Sequence, residues 1–341
     1  MQPEFTRVLT EDQITATAST IRKQQSEEGL ILWFSGGHGD TWNHTEAAMA
    51  LSAAGFVDAA GRAYEWLAKA QRTDGTWHHY YLVNGVEDAK VDTNCCAYVA
   101  TGVLHHYLAT EDLTFLKEMW PVVRRSLDFV VDHQSAAGHI PWAIHTSGTP
   151  WSYSLITGSS SIYHSLRCGI AIAERLGKER PEWEFAAVLL ADLLQRHEAE
   201  FEPKRRWAMD WYYPVLTGAI IGETASQRLL GRSDDFVLEN HGVRCVSDQP
   251  WVTTAETCEC AMAYLAVGDE DTARTLFESI HPLRSNDGAY FTGMVYPERI
   301  TFPDNERSTY SSAAVVLAAD ALDHRSRASR LIIGEGLPLL R

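Results

Sequence analysis

Carboxylates, amides, hydroxyls and aromatic rings recur at one kind of place in this chain: just before, or within the first turn of, a helix rich in small residues. The groups are Asp40, Trp42, Asn43, His44 and Glu46; Asp92, Asn94 and Cys95; Ser159, Ser160 and His164; Asp210, Trp211 and Tyr212; Thr254 and Glu256; and Thr309 and Tyr310. Such a mixture suits a sugar, whose hydroxyls need directed hydrogen bonds and whose flat faces need rings to stack on. Cleaving a glycosidic bond takes one protonated carboxyl for the leaving oxygen and one ionised carboxylate for water or the sugar. Asp210 and Glu256 are the expected pair, with Asp92 and then Glu46 behind them. Asp210 stands among Trp207, Trp211 and Tyr212, and an apolar wall raises a carboxyl's pKa and keeps it protonated. The expected sugar contacts are Asp40, Trp42, Asn43, His44, Glu46, Asn94, His164, Trp211, Tyr212 and Tyr310. Structural roles compete at several positions. Asp92 and Asp210 could cap helices, Glu46 and Glu256 could answer a helix dipole, and His164 could be core.

These groups can meet only if the helices converge. A short pattern recurs along the chain: Gln71-Arg-Thr-Asp-Gly75-Thr-Trp77, Gln134-Ser-Ala-Ala-Gly138-His-Ile-Pro-Trp142, and weaker copies from Gln24 to Trp33 and from Arg284 to Tyr290. Degenerate copies end at Trp207 and Trp251. Each interval between these anchors holds an inner helix of small residues and an amphipathic outer one. The expected pairs are 45–55 with 57–71, 93–108 with 113–134, 161–176 with 183–197, 212–221 with 224–230, and 255–267 with 271–283. Helix 309–322 lacks a partner of its own, and 11–25, with a capping box at Thr10 and Gln13, is expected to supply it and close the ring. The fold expected is all-α, an (α/α)6 barrel, as one domain over 1–341. Unequal intervals and long loops after the anchors favour a closed ring over an open solenoid, whose period is regular. In such a barrel every inner helix starts at the same end, so these groups share its mouth.

Composition narrows the partners. The chain carries 29 Lys and Arg against 45 Asp and Glu, a formal charge of −16. That balance argues against nucleic acid or an anionic membrane and for a small-molecule or oligosaccharide substrate. No run is long and apolar enough to span a bilayer. The first seven residues have no apolar leader core, and the six cysteines lie mostly in apolar helical patterns, so a cytoplasmic protein is expected. No phosphate loop, dinucleotide fingerprint or metal motif is present, and no cofactor or metal is expected. Asp92 with Cys95 or Cys96, and His164, are ligand types that zinc accepts.

Two families share this pattern. The stretch Asp92-Thr-Asn-Cys-Cys-Ala-Tyr through Thr110-Glu-Asp-Leu-Thr-Phe-Leu-Lys-Glu-Met-Trp-Pro121 to Ser126-Leu-Asp-Phe129 resembles six-hairpin glycosidases of the glucoamylase and trehalase type. Residues 42–71 and 255–288 resemble them too, and the likeness spans roughly 30–320. It implies the (α/α)6 fold and action on a glycosidic bond. The Trp-x-Arg-Asp sugar clamp of those enzymes is replaced by Trp42-Asn-His44-Thr45, and neither of their catalytic glutamates has a counterpart after Trp142 or after Gly288. Asp210 and Glu256 therefore rest on position alone. The Gln-x-x-x-Gly-x-Trp turns are similar to those of squalene cyclases and prenyltransferase β subunits, which would imply isoprenoid chemistry. A barrel that binds sugar without catalysis is the third possibility.

Overall fold

The computed structural model describes residues 7–338 and residue 340. Of the opening stretch examined for a leader, residues 1–6 lie outside that set. Among the described residues there are twelve α-helices: α1 Glu11–Lys23, α2 Thr41–Ala53, α3 Val57–Ala70, α4 Thr93–Thr110, α5 Leu113–Asp132, α6 Ile156–Arg175, α7 Pro181–Arg196, α8 Met209–Leu216, α9 Gly222–Phe236, α10 Thr254–Ala266, α11 Glu270–Ser279 and α12 Thr309–Asp323. The even-numbered helices form a closed ring, each packed on the next, with α12 returning to α2. Each outer helix lies against its inner one: α3 on α2, α5 on α4, α7 on α6, α9 on α8, α11 on α10 and α1 on α12. This is the (α/α)6 barrel that the repeats imply, closed by α1 and its capping box, in which the Thr10 hydroxyl accepts from the Gln13 amide at 3.2 Å and the Gln13 side chain accepts from the Thr10 amide at 2.8 Å.

The inner helices are buried almost all round, so small residues are needed where they touch. Gly102 of α4 is the sharpest case, because a Cβ there would collide with the Thr45 side chain of α2. The repeated turn is a clip. Gln71 donates to the Gly75 carbonyl within its own turn and to the Val122 carbonyl of the next outer helix, both at 2.9 Å. Gln25 does the same to Gly29 and Ala59, and Gln134 to Gly138 and Ala186. At the seam the roles reverse, and Thr17 of α1 donates to the Gly288 carbonyl at 2.8 Å.

Helix boundaries differ from expectation most in the third and fourth units. Helix α6 starts at Ile156, so Ser159 and Ser160 lie inside it rather than before it. Helix α8 is only eight residues long, contains Pro214, and is followed by Gly218 at φ +71°. Helix α9 runs through Gly231 to Phe236, since that glycine faces open space and Phe236 stacks on Trp211 at 5.3 Å. The C-terminal segment, unassigned from sequence, folds under the barrel. There the Leu331 carbonyl accepts from His164 at 2.8 Å, and Arg167 reaches the carbonyls of Leu337 and Pro338. Among the described residues no helix is long and apolar enough to cross a membrane.

Candidate active site

The open end of the ring is built from helix starts and the loops between units. Asp40 caps α2, accepting from the amides of Trp42 and Asn43 at 2.8 and 2.9 Å. Its second oxygen takes the Trp33 indole at 2.7 Å and the Asn43 side chain at 2.6 Å. Asp92 caps α4 through the Cys95 amide at 3.1 Å. Asp210 sits in the first turn of α8, where Thr157 of α6 donates to its Oδ1 at 2.7 Å while Oδ2, also buried, has no hydrogen-bond partner. Glu256 stands half-buried in the first turn of α10.

Asp40, Trp42, Asn43, Asp92, Asn94 and Asp210 line one cavity of about 530 Å³. Side chains not foreseen complete its walls: His79 and Tyr80 beside the hairpin Tyr80–Leu82/Gly85–Asp88, Tyr153, Leu155, Thr157, Lys204 and Met209, together with the anchors Trp33, Trp142 and Trp207. Trp207 is 47% exposed at the rim, whereas the anchors Trp77 and Tyr290 are sealed in the core. The walls are mainly aromatic and aliphatic, and the acids stand where the helices begin. Burial pushes the carboxyls of Asp210, Asp92 and Glu256 upward; hydrogen bonds from Thr157, the Cys95 amide and Thr253 respectively pull back toward ionisation.

Other residues named from sequence lie elsewhere. His44 is fully buried; its Nδ1 accepts from the Ile31 amide at 3.0 Å and its Nε2 meets the Ala63 carbonyl at 2.9 Å, so both ring nitrogens are used in the core. Burial lowers its pKa to about 4. Trp211 turns outward, donating to the Arg228 carbonyl at 2.9 Å. His164 and Glu46 lie deeper, around a pocket of about 10 Å³ that Tyr98, Tyr213 and Glu259 also line. The hydroxyls of Tyr212 and Tyr310 both donate to Glu259, the second at 2.7 Å. These residues therefore form a polar layer beneath the mouth, buried except for part of Tyr310. Sequence reading missed Glu259 because it lies more than a turn inside α10, among Cys258, Cys260 and Ala261, where the pattern reads as core. A carboxylate one residue from two buried cysteines was the available signal.

Among the described residues, one group of potential metal ligands comes together: His79, Asp92 and Cys95, with ligand atoms all within 4.8 Å of one another. The set Asp92, Cys95 and His164 does not assemble, because His164 lies in the lower pocket.

No family model matches the chain. It is 46% identical over 336 residues to the MMP endo-(1,4)-3-O-methyl-alpha-D-mannosidase of Mycolicibacterium hassiacum, covering 98% of this chain and 93% of the relative. Solved structures of the same fold include a wild-type glycosidase, at TM-score 0.73 and 13% identity, covering 92% of this chain and 96% of that one. A D-mannose isomerase also has TM-score 0.73 at 13% identity, covering 95% and 100%. The isoprenoid alternative is not favoured by these relatives, and the chain is an enzyme acting on a glycosidic bond. It belongs to the family of the MMP endo-(1,4)-3-O-methyl-alpha-D-mannosidase, glycoside hydrolases built on the (α/α)6 barrel.

Proposed function

We propose that this enzyme cleaves α-(1,4) bonds within chains of 3-O-methylated mannose. The observation that carries the reading is the near-full-length identity to an endo-mannosidase of that specificity. The cavity supports it in two ways. It is open and broad, as an internal stretch of a chain requires, and its acids face walls of Trp142, Tyr153, Trp207, Leu155 and Met209. Methyl ethers remove hydroxyl donors from a sugar and add apolar surface, which such walls accept.

In the chemical step, Asp210 gives its proton to the glycosidic oxygen as the bond to C1 breaks. Its burial beside Met209 and its unpartnered Oδ2 suit a protonated acid. Glu256, on the neighbouring inner helix, takes a proton from the water that attacks C1. Inner helices that pack side by side stand about 8–10 Å apart, so the two carboxyls can approach one sugar from either side; a carboxyl gap of about 6.5–9.5 Å goes with inversion through water, and one of about 5–5.5 Å with retention. Asp92, Asp40, Asn43 and Asn94 hold hydroxyls, while Trp42 and the wall aromatics carry sugar faces. His44 and Trp211 keep the structural tasks their hydrogen bonds give them. The whole ring acts as one folding unit, and the enzyme works in the cytoplasm on a neutral carbohydrate, a setting in keeping with six free buried cysteines and a −16 charge.

The test is a comparison of 3-O-methylated and unmethylated α-(1,4)-mannooligosaccharides, with products sized by mass spectrometry. Internal cleavage of the methylated chain is expected. Release of single sugars only, or no cleavage of either chain, overturns the reading.

A further inference from the structure

We propose that His79, Asp92 and Cys95 form a zinc site in the wall of the mouth cavity, with a fourth coordination position open to the cavity, and that zinc there competes with sugar. The three residues come from two stretches that the fold brings together: the turn before the Tyr80–Leu82 hairpin and the first turn of α4. Their ligand atoms lie within 4.8 Å of one another, and all three side chains line the cavity.

The surroundings favour a cation. His79 Nδ1 is buried and has no hydrogen-bond partner, an uncommon state for a ring nitrogen beside a carboxylate. The backbone of His79 is tied down by its amide, which donates to the Lys90 carbonyl at 2.8 Å, so only the ring has to adjust. Asp92 uses Oδ1 on the Cys95 amide, which orients its carboxyl from behind as zinc sites require. Cys95 is a free thiol at the cavity, outside the apolar core cluster. Asp40 adds a further negative charge nearby; of the cations, Lys90 is already paired to Asp88 at 3.2 Å, and Lys204 lines the same cavity.

The donor set selects the metal. Thiolate, imidazole and carboxylate together suit zinc; magnesium, calcium and manganese prefer oxygen alone. Zinc–ligand bonds of about 2.0–2.3 Å put tetrahedral ligands roughly 3.5 Å apart, so binding draws these three closer by a turn of the His79 ring. Binding forms a sulfur–zinc bond and breaks the Cys95 S–H bond, with the proton released to water. The ion then occupies Asp92 and part of the sugar's space, which makes it a reversible inhibitor.

The test is titration of the purified enzyme with cobalt(II) as a spectroscopic stand-in, followed by displacement with zinc. One equivalent should give a tetrahedral visible spectrum and a thiolate-to-cobalt charge-transfer band. Cys95→Ser should abolish that band. His79→Gln, a change in a turn rather than a helix, should keep the band but weaken affinity at least tenfold. No saturable binding near one equivalent, or an unchanged band in Cys95→Ser, overturns the site. Zinc-loaded enzyme should lose hydrolysis of whichever mannoside it cuts and regain it on chelation; binding without that loss overturns the competition with sugar while leaving the specificity for that mannoside intact.

Discussion

Asp210 and Glu256 in the first turns of α8 and α10, and Glu46 and Glu259 one layer below, are the same kind of group on the same ring of helices, and burial raises the pKa of all four. They differ in access. Asp210 borders a cavity of about 530 Å³ that opens to solvent. Glu46 and Glu259 border one of about 10 Å³, room for about one water. Glu259 is held by two tyrosine hydroxyls, and its carboxyl is pushed up to about 8; burial, with Glu259 and Asp40 facing it and no partner for Oε2, holds Glu46 well above the usual carboxyl range. A perturbed carboxyl is therefore no marker of a catalytic site by itself. What separates the two layers is whether a sugar can reach the oxygen.

The largest effect should follow from testing that distinction directly. Asp210→Asn and Glu256→Gln should each lower turnover by about 10²–10⁴-fold, the usual cost of a lost general acid or base, with little change in Tm. Glu46→Gln, at a carboxyl whose pKa burial also raises, should leave turnover within tenfold of wild type. Product anomers followed by proton NMR separate the two roles open to Glu256: inversion makes it the base for water, retention the nucleophile. If Glu46→Gln proves as damaging as Asp210→Asn while folding normally, access is the wrong criterion.

Stability should show the reverse order. Glu259→Met strands the Tyr212 and Tyr310 hydroxyls, at about 1–3 kcal/mol for each unsatisfied group, whereas Glu46→Gln removes no hydrogen bond and should be near neutral. Denaturant titration at pH 6 measures both. The pH dependence has a definite sign. The folded value of Glu259 lies near 8 and the unfolded value near 4.5. Protons are thus held more tightly in the folded state, and this stabilisation is fully present below about pH 4.5 and lost as pH rises toward 8. Glu259→Gln, which stays neutral throughout, should gain stability relative to wild type across that window. A flat difference would mean that the lower layer does not titrate with folding.

How much of this was legible follows the same division. The ring was readable because three units repeat one local device, the Gln-to-Gly clip, with helices of recognisable period on either side. The shared mouth followed from all inner helices starting at one end, which brought Asp40, Asp92 and Asp210 to one cavity. Depth along a helix was not legible. His44 is one residue from Asn43 and Glu46 three residues on, yet one is core, one mouth and one lower layer, because a turn of 3.6 residues points successive side chains in different directions. The cavity walls were hidden for another reason: Tyr80, Tyr153, Leu155 and Lys204 come from loops between units, whose path depends on the hairpin and on strand pairs such as Val91–Asp92 with Ala143–Ile144. The C-terminal segment under the barrel carries no period at all.

The smallest expected effect concerns those loop-borne walls. Leu155 and Met209 are the aliphatic side chains among the aromatic and polar groups around the mouth, and they line the same cavity as Asp210 where α6 and α8 begin. If a sugar is bound with its leaving oxygen at Asp210, these two are the surfaces left for a methyl ether. A methyl group fitted into an apolar pocket is worth about 1–3 kcal/mol in discrimination. Leu155→Ser should therefore erode the preference for methylated over unmethylated substrate by about tenfold in kcat/KM, mainly by weakening the methylated chain. Met209→Gln should act in the same direction and less, because its unbranched side chain keeps the length of the original. Both should leave Asp210 titrating as in wild type, since neither change removes Thr157 or the burial that raises its pKa. The measurement is kcat/KM for a matched pair of oligosaccharides across pH 5–8. A selectivity unchanged in both variants would move the methyl-reading surface to the aromatic wall of Trp142 and Tyr153. A shifted pH profile would mean instead that the substitutions act on Asp210 itself, and that wall and acid cannot be separated in the way the contrast between mouth and lower layer requires.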